Sequence, residues 1–185
     1  HYVTRHTRDA FGSEVTRTEY AAALAITPTV EITLAELDKA IKTDPKDRNY
    51  EYGYDLLGQK TEETVKNVII QKFTVIDDKT ALEDLPAQDL TKKYQYNPLQ
   101  KCIATTHENG ATEYSYYDAR GCKIAATELP LITGTYPLAY YGVNLHGQIV
   151  STTQFKQGTK QANSSEVPTP IATDPLDQTT LKLYD

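Results

Sequence analysis

The amino-acid sequence predicts a mainly β chain made of antiparallel β-hairpin repeats with one short inserted helix. Three observations predict it: tyrosines at alternate positions, a short polar residue followed three positions later by glycine, and recurrence of this pairing with a period near 21 residues. Tyrosines two apart on an extended chain share a face, and tyrosine favours strands, so neighbouring hairpins can set these rings side by side. Asp or Asn with Gly three residues on is turn chemistry: the short side chain captures backbone N–H groups and Gly takes the left-handed conformation. Strand, turn and returning strand fill one repeat. Such a unit cannot bury its own face and must stack on its neighbours.

Taken in order, Asp9-Ala10-Phe11-Gly12 is a degenerate first copy, with His6 and Arg8 where tyrosines are expected. Thr33-Leu34-Ala35-Glu36 is a capping box, and Leu34, Leu37, Ala40 and Ile41 follow at helical spacing before Pro45. These residues predict a helix near 34–42 within an insertion spanning 31–46. The full pattern then appears as Tyr52, Tyr54, Asp55 and Gly58, preceded by Tyr50. Asp77, after Phe73 and Val75, fills the interval to the next copy but lacks the glycine, and Ala81–Leu85 before Pro86 predicts a second turn of helix.

Tyr94, Tyr96 and Asn97 repeat the pattern with Gln100 in the glycine position. Asn109-Gly110 is a further hairpin signal between Cys102–Thr105 and Thr112–Tyr114. Tyr117, Asp118 and Gly121 follow, preceded by Tyr114 and Tyr116, and Lys123–Thr127 reads as the returning strand. Residues 94–127 are the clearest meander. Tyr141, Asn144 and Gly147 form another copy, with Gln148–Thr153 returning, and 157–179 reads as a Pro/Ser/Thr-rich loop. Leu181–Asp185 resembles the strand and anchor of a further repeat, and no Met stands at the start, so the chain is expected to be an excerpt of a longer polypeptide.

Composition narrows the function. Fourteen Tyr accompany three Phe and no Trp or Met, which suits side chains packed on one face and wet at one edge. A net charge of -6 and the absence of a dense basic cluster argue against nucleic-acid binding, Lys92-Lys93 being read as a solvated strand end. No apolar run approaches the roughly 18 residues of a membrane span, and no signal-peptide pattern opens the chain, which is expected to be soluble. Cys102 and Cys122 are too few for a disulfide framework; they are small apolar sheet residues with free thiols, or one bridge between neighbouring strands.

Enzymatic constellations are weak. Cys102, His107 and Asp118 are residue types of a thiol protease without a family-like signature around the cysteine. In the pairs Glu62-Glu63 and Asp77-Asp78, adjacent strand residues point to opposite faces, unlike paired glycosidase carboxylates. The histidines at 1, 6, 107 and 146 lack metal-ligand spacing, and no phosphate-binding glycine loop is present. No enzyme activity, cofactor or metal is therefore expected. The tyrosines could stack on sugar rings, which keeps a carbohydrate- or cell-surface-binding module as the alternative, although sheet packing explains their period without a ligand.

These residues resemble the YD-repeat family, also called Rhs repeats, whose core is Tyr-x-Tyr-Asp-x-x-Gly recurring about every twenty residues; Tyr52–Gly58 and Tyr117–Gly121 match it best. In bacterial Rhs toxins, in the B and C components of insecticidal toxin complexes and in teneurins, such repeats coil as a spiralling β-sheet shell, which in the bacterial examples encloses a toxic C-terminal polypeptide. The resemblance implies that residues 1–185 are a wall segment of such a shell, secreted or delivered to target cells. It also implies as partners the rest of the shell, the enclosed polypeptide and other toxin-complex subunits. No self-cleavage motif or toxin module is recognisable, so neither activity is expected.

Overall fold

The computed structural model describes residues 2–24, 33–76 and 79–184. Its elements are β1 (Thr4–Arg8), β2 (Glu14–Glu19), α1 (Leu34–Ala40), β3 (Arg48–Tyr54), β4 (Lys60–Val68), β5 (Gln71–Ile76), β6 (Lys79–Asp84), β7 (Gln88–Tyr96), β8 (Cys102–Thr106), β9 (Thr112–Tyr117), β10 (Lys123–Thr127), β11 (Tyr136–Val143), β12 (Ile149–Thr159) and β13 (Gln178–Leu181). Eleven strands form one antiparallel sheet in the order β1-β2-β3-β4-β7-β8-β9-β10-β11-β12-β13, while β5 and β6 make a separate two-stranded ladder. Sheet order follows chain order because each strand's nearest unpaired neighbour is the one just made.

The chain divides into two units, residues 1–91 and 92–185. In an antiparallel meander successive connections fall at alternate ends of the strands. In the first unit the tight turns 9–13 and 55–59 share one end, and the long connections 20–47 and 69–87 share the other. In the second, turns 97–101, 118–122 and 144–148 share one end, with 107–111, 128–135 and 160–177 opposite. Every Asp- or Asn-anchored repeat turn among the described residues thus lies at one end of its unit, and every insertion at the other.

The helix forms where the capping box places it. Thr33 Oγ1 accepts the Glu36 N–H at 3.3 Å, and the Glu36 carboxylate accepts the Thr33 N–H at 2.9 Å. None of its residues is buried, and Asp38 pairs with Arg5 of β1. Residues 31 and 32 of the expected insertion lie outside the described residues, as do Asp77, Asp78, His1 and Asp185.

One reading is corrected and two open ones are made definite. Ala81–Leu85 is not a helical turn: Ala81–Asp84 lie in β6, where Leu82 stands opposite Phe73 and Glu83 opposite Lys72, because pairing with β5 outweighs the local helix preference of Ala, Leu and Glu. Tyr114 and Tyr116 do not belong to the face of Tyr117. Alternation sends them to the opposite side, where Tyr116 stands against Ala125 and is only 5% exposed. Cys102 and Cys122 are free. They sit on and beside β8 and β10, which β9 separates by about 10 Å, beyond disulfide reach.

Among the described residues, the buried core lies in the second unit. Ala104, Tyr116, Ala125, Leu138, Thr127 and Thr159 all belong to it. Ala125, fully buried, lies between Tyr116 and Tyr140 in register, its small side chain making room for both rings.

Candidate functional site

The repeated feature of the molecule is its turn. At Asp9, Asp55, Asn97, Asp118 and Asn144 the anchor N–H donates to the carbonyl four residues on, and the N–H three residues on donates back to the anchor carbonyl, all at 2.9–3.1 Å. Each anchor Oδ1 also accepts the N–H of residue i+4, at 2.8–3.0 Å. For Asp9, Asp55, Asp118 and Asn144 it accepts that of residue i+2 as well. One oxygen thereby satisfies two donors that the turn would otherwise leave to water. These bonds hold the Asp118 carboxyl below the usual range, the Cys122 N–H foremost and Arg120 adding to it.

The fourth position of every such turn is left-handed: Gly12, Gly58, Gly121 and Gly147 have φ of 87°, 76°, 79° and 79°. Gln100 adopts φ 59° in the same place, so the copy without glycine keeps the geometry at a local cost. Two further turns share the backbone pattern: His107–Ala111, expected from Asn109-Gly110, with Gly110 at φ 81°, and Leu131–Thr135, not expected from the sequence, with Gly134 at φ 76°. His107 and Leu131 offer no carboxylate or amide oxygen at the anchor; in the first turn Asn109 Oδ1 accepts the Ala111 N–H instead, at 3.0 Å.

The tyrosine before the anchor has a second task. Tyr54 donates its hydroxyl to the Glu14 carbonyl at 2.8 Å, and Tyr184 donates to the Ile149 carbonyl at 2.9 Å. Each acceptor lies five residues after the preceding anchor, Asp9 or Asn144, at the base of the neighbouring hairpin. Tyrosine therefore ties one hairpin to the next, which phenylalanine could not do.

In the first unit Tyr50 and Tyr52 stack with centroids 6.5 Å apart and an interplanar angle of 5°. The Arg17 guanidinium lies 4.2 Å from the Tyr50 centroid and the Lys60 ammonium 5.3 Å from that of Tyr52. Burial raises the Tyr52 hydroxyl, with Arg17 opposing. The reverse face is polar: Lys66 bridges Asp89 at 2.6 Å and Glu51 at 3.6 Å beside the Thr64–Thr91 hydroxyl pair.

In the second unit one face carries Tyr116 and Tyr140, the latter edge-on to Phe155 at 4.9 Å. Residues 160–171 cover these tyrosines: Tyr116 donates to the Asn163 carbonyl at 2.8 Å and Tyr140 to that of Pro168. Burial pushes the Tyr116 hydroxyl up to about 12. The other face has a groove of about 590 Å³ floored by Ala126 and Ala139 and walled by Tyr141, Gln154 and Gln178, with Glu128 and Lys156 at its margin. Burial also raises the Tyr141 hydroxyl.

The chemical constellations do not converge. Cys102 opens β8 and His107 follows its far end, about 16 Å away along the strand. Glu62 stands opposite Gly53 and Glu63 opposite Tyr52, on different faces of β4. Among the described residues no group of three or more His, Cys, Asp or Glu side chains is placed to hold a metal ion. No helix among them is long and apolar enough to cross a membrane.

No protein-family model matches the chain, and no curated protein matches it. Among solved structures, a chain of the TcdB2-TccC3-Cdc42 structure is similar over the whole of this chain, at 14% identity and a TM-score of 0.34. This chain spans 11% of that chain's length.

Proposed function

We propose that this chain is a wall segment of a YD-repeat shell that encloses a toxic polypeptide. The observation that carries the reading is the turn repeated at Asp9, Asp55, Asn97, Asp118 and Asn144, on hairpins joined laterally in chain order. A sheet assembled this way grows by adding like hairpins at its edge, and a wall is what such growth makes. The work of the protein is then containment rather than chemistry. Its partners are the remaining wall, the enclosed C-terminal polypeptide and other toxin-complex subunits, and the assembly is secreted or delivered to target cells. Electron microscopy and limited proteolysis of the longer polypeptide test this. A hollow particle whose C-terminal polypeptide is digested only after the wall is opened agrees with it; a C-terminal polypeptide cleaved as fast as the free one refutes it.

The groove beside Tyr141 favours a second reading, in which an exposed face binds a carbohydrate or cell-surface ligand: an aromatic wall with amides from Gln154 and Gln178 suits a sugar ring. A glycan array with the intact chain and with Tyr141→Ala decides it. Binding lost in a folded variant supports this reading, and no binding by the intact chain removes it.

A further inference from the structure

A second motif repeats in this chain, unrelated to the tyrosine turns. Ile41-Lys42-Thr43-Asp44-Pro45-Lys46-Asp47 and Ile171-Ala172-Thr173-Asp174-Pro175-Leu176-Asp177 share five of seven residues, and each ends a long insertion just before a strand. Their bonding is the same. Asp47 and Asp177 donate their N–H to the carbonyls of Asp44 and Asp174 at 2.9 Å, and their Oδ2 atoms accept the Asp44 and Asp174 N–H at 2.9 Å. Asp44 and Asp174 Oδ1 accept from Lys46 and Leu176 at 2.8 and 2.9 Å. The remaining oxygen, Oδ1 of Asp47 or Asp177, accepts the N–H of Ala21, just past β2, or of Lys156, in β12 just past its last pair with β13, at 2.8 and 2.9 Å.

The surroundings match as well. Before the insertions, equivalent residues differ by 135 positions: turn anchors 9 and 144, tyrosine acceptors 14 and 149, clamped N–H groups 21 and 156. After them the offset is 130: clamp residues 47 and 177, lateral tyrosines 54 and 184. Insertions differing by five residues thus return the chain to the same register. They also take the same face. Arg5, Thr18 and Asn49 form one cross-strand row and Tyr140, Thr153 and Thr179 the equivalent one; the first insertion contacts its row through the Asp38–Arg5 pair, the second through the Tyr140 bond to Pro168.

We infer that Ile-x-Thr-Asp-Pro-x-Asp is a re-entry clamp, which lets the sheet carry insertions of variable length on one face without losing strand register. In the second unit it holds residues 160–171 as a strap over Tyr116 and Tyr140. The proline suits this role: it restricts the residue before it and offers no N–H of its own to satisfy, while the two carboxylates take up the N–H groups of the crossing. The inference does not depend on the wall reading, since it concerns how any insertion is fastened.

Amide hydrogen exchange on the full chain tests it with Asp177→Ala, Asp177→Asn and a strap shortened by replacing Gln161–Pro170 with a Gly-Ser linker. Exchange at the Lys156 and Asp174 amides should rise roughly ten- to hundredfold in Asp177→Ala, as expected for bonds to a charged acceptor, and less in Asp177→Asn, which keeps one oxygen. Amides of β9–β11 should not change in either. The shortened strap should retain protection at Ser151–Gln154 and Gln178–Leu181. Unchanged Lys156 and Asp174 amides in Asp177→Ala would overturn the clamp; loss of β12–β13 protection in the shortened strap, with residues 173–177 intact, would overturn its independence from insertion length.

Discussion

At Gln100 and Gly158 the backbone is left-handed for opposite reasons. Gln100 has φ 59° in a turn whose counterparts use glycine, so Gln100→Gly should stabilise the chain by about 1 kcal/mol, read as a raised denaturation midpoint. Gly158 has φ 62°, and a Cβ there would lie 2.1 Å from the Tyr136 carbonyl oxygen, which backbone pairing holds in place. Gly158→Ala should therefore cost more than the roughly 1–2 kcal/mol of left-handed strain alone. At Gly121 the close atom is only the flexible end of Lys101, so Gly121→Ala should show little beyond that strain. Asp118 carries the acid response of its turn. Its folded pKa is depressed, so its contribution is present above the unfolded value of 3.8 and is lost as pH falls through the folded value. Asp118→Asn should keep the turn and remove that dependence, as Asn97 and Asn144 already do in their own turns; acid titration of both forms checks it. Tyr116 runs the other way. Its stabilisation is present below pH 10 and is lost as pH rises through about 12, so ultraviolet titration should find a late-ionising component near 12 that Tyr116→Phe removes.

Among the elements, what the sequence revealed divides along a physical line. The turns were legible where a carboxylate or amide stands at the anchor, because that side chain does the local work and glycine answers three residues later. At His107 the Asn109-Gly110 pair marked the turn in place of an anchor, whereas at Leu131 no carboxylate or amide did. Helix α1 was legible from its capping box, whereas β6 was not, since Ala81, Leu82 and Glu83 extend only because β5 lies beside them. Tyr116 precedes Tyr117 out of phase with its repeat; with Tyr140 it is the packing surface for residues 160–171, a contact forty-odd residues away from Tyr116 in sequence. The tyrosine hydroxyl bond to the adjacent hairpin was hidden for the same reason. Tyr54→Phe should loosen the β2–β3 pairing near Glu14 by about 1 kcal/mol while leaving the turn at Asp55 intact, a separation that amide exchange can resolve.

Across the whole chain, the sheet leaves β1 and β13 as outer strands with exposed residues throughout. Unpaired edges of this kind seek partners, so the isolated chain should self-associate as concentration rises, and light scattering should detect it. A strictly monomeric chain at high concentration would count against edges built for extension. The more direct test is which strands touch. Solution NMR should find cross-strand proximity between different hairpins, with Arg17 opposite Tyr50, Ala104 opposite Tyr114, Ala125 opposite Tyr140 and Thr153 opposite Thr179. Proximities confined within single hairpins, with none linking one hairpin to the next, would contradict the laterally joined wall.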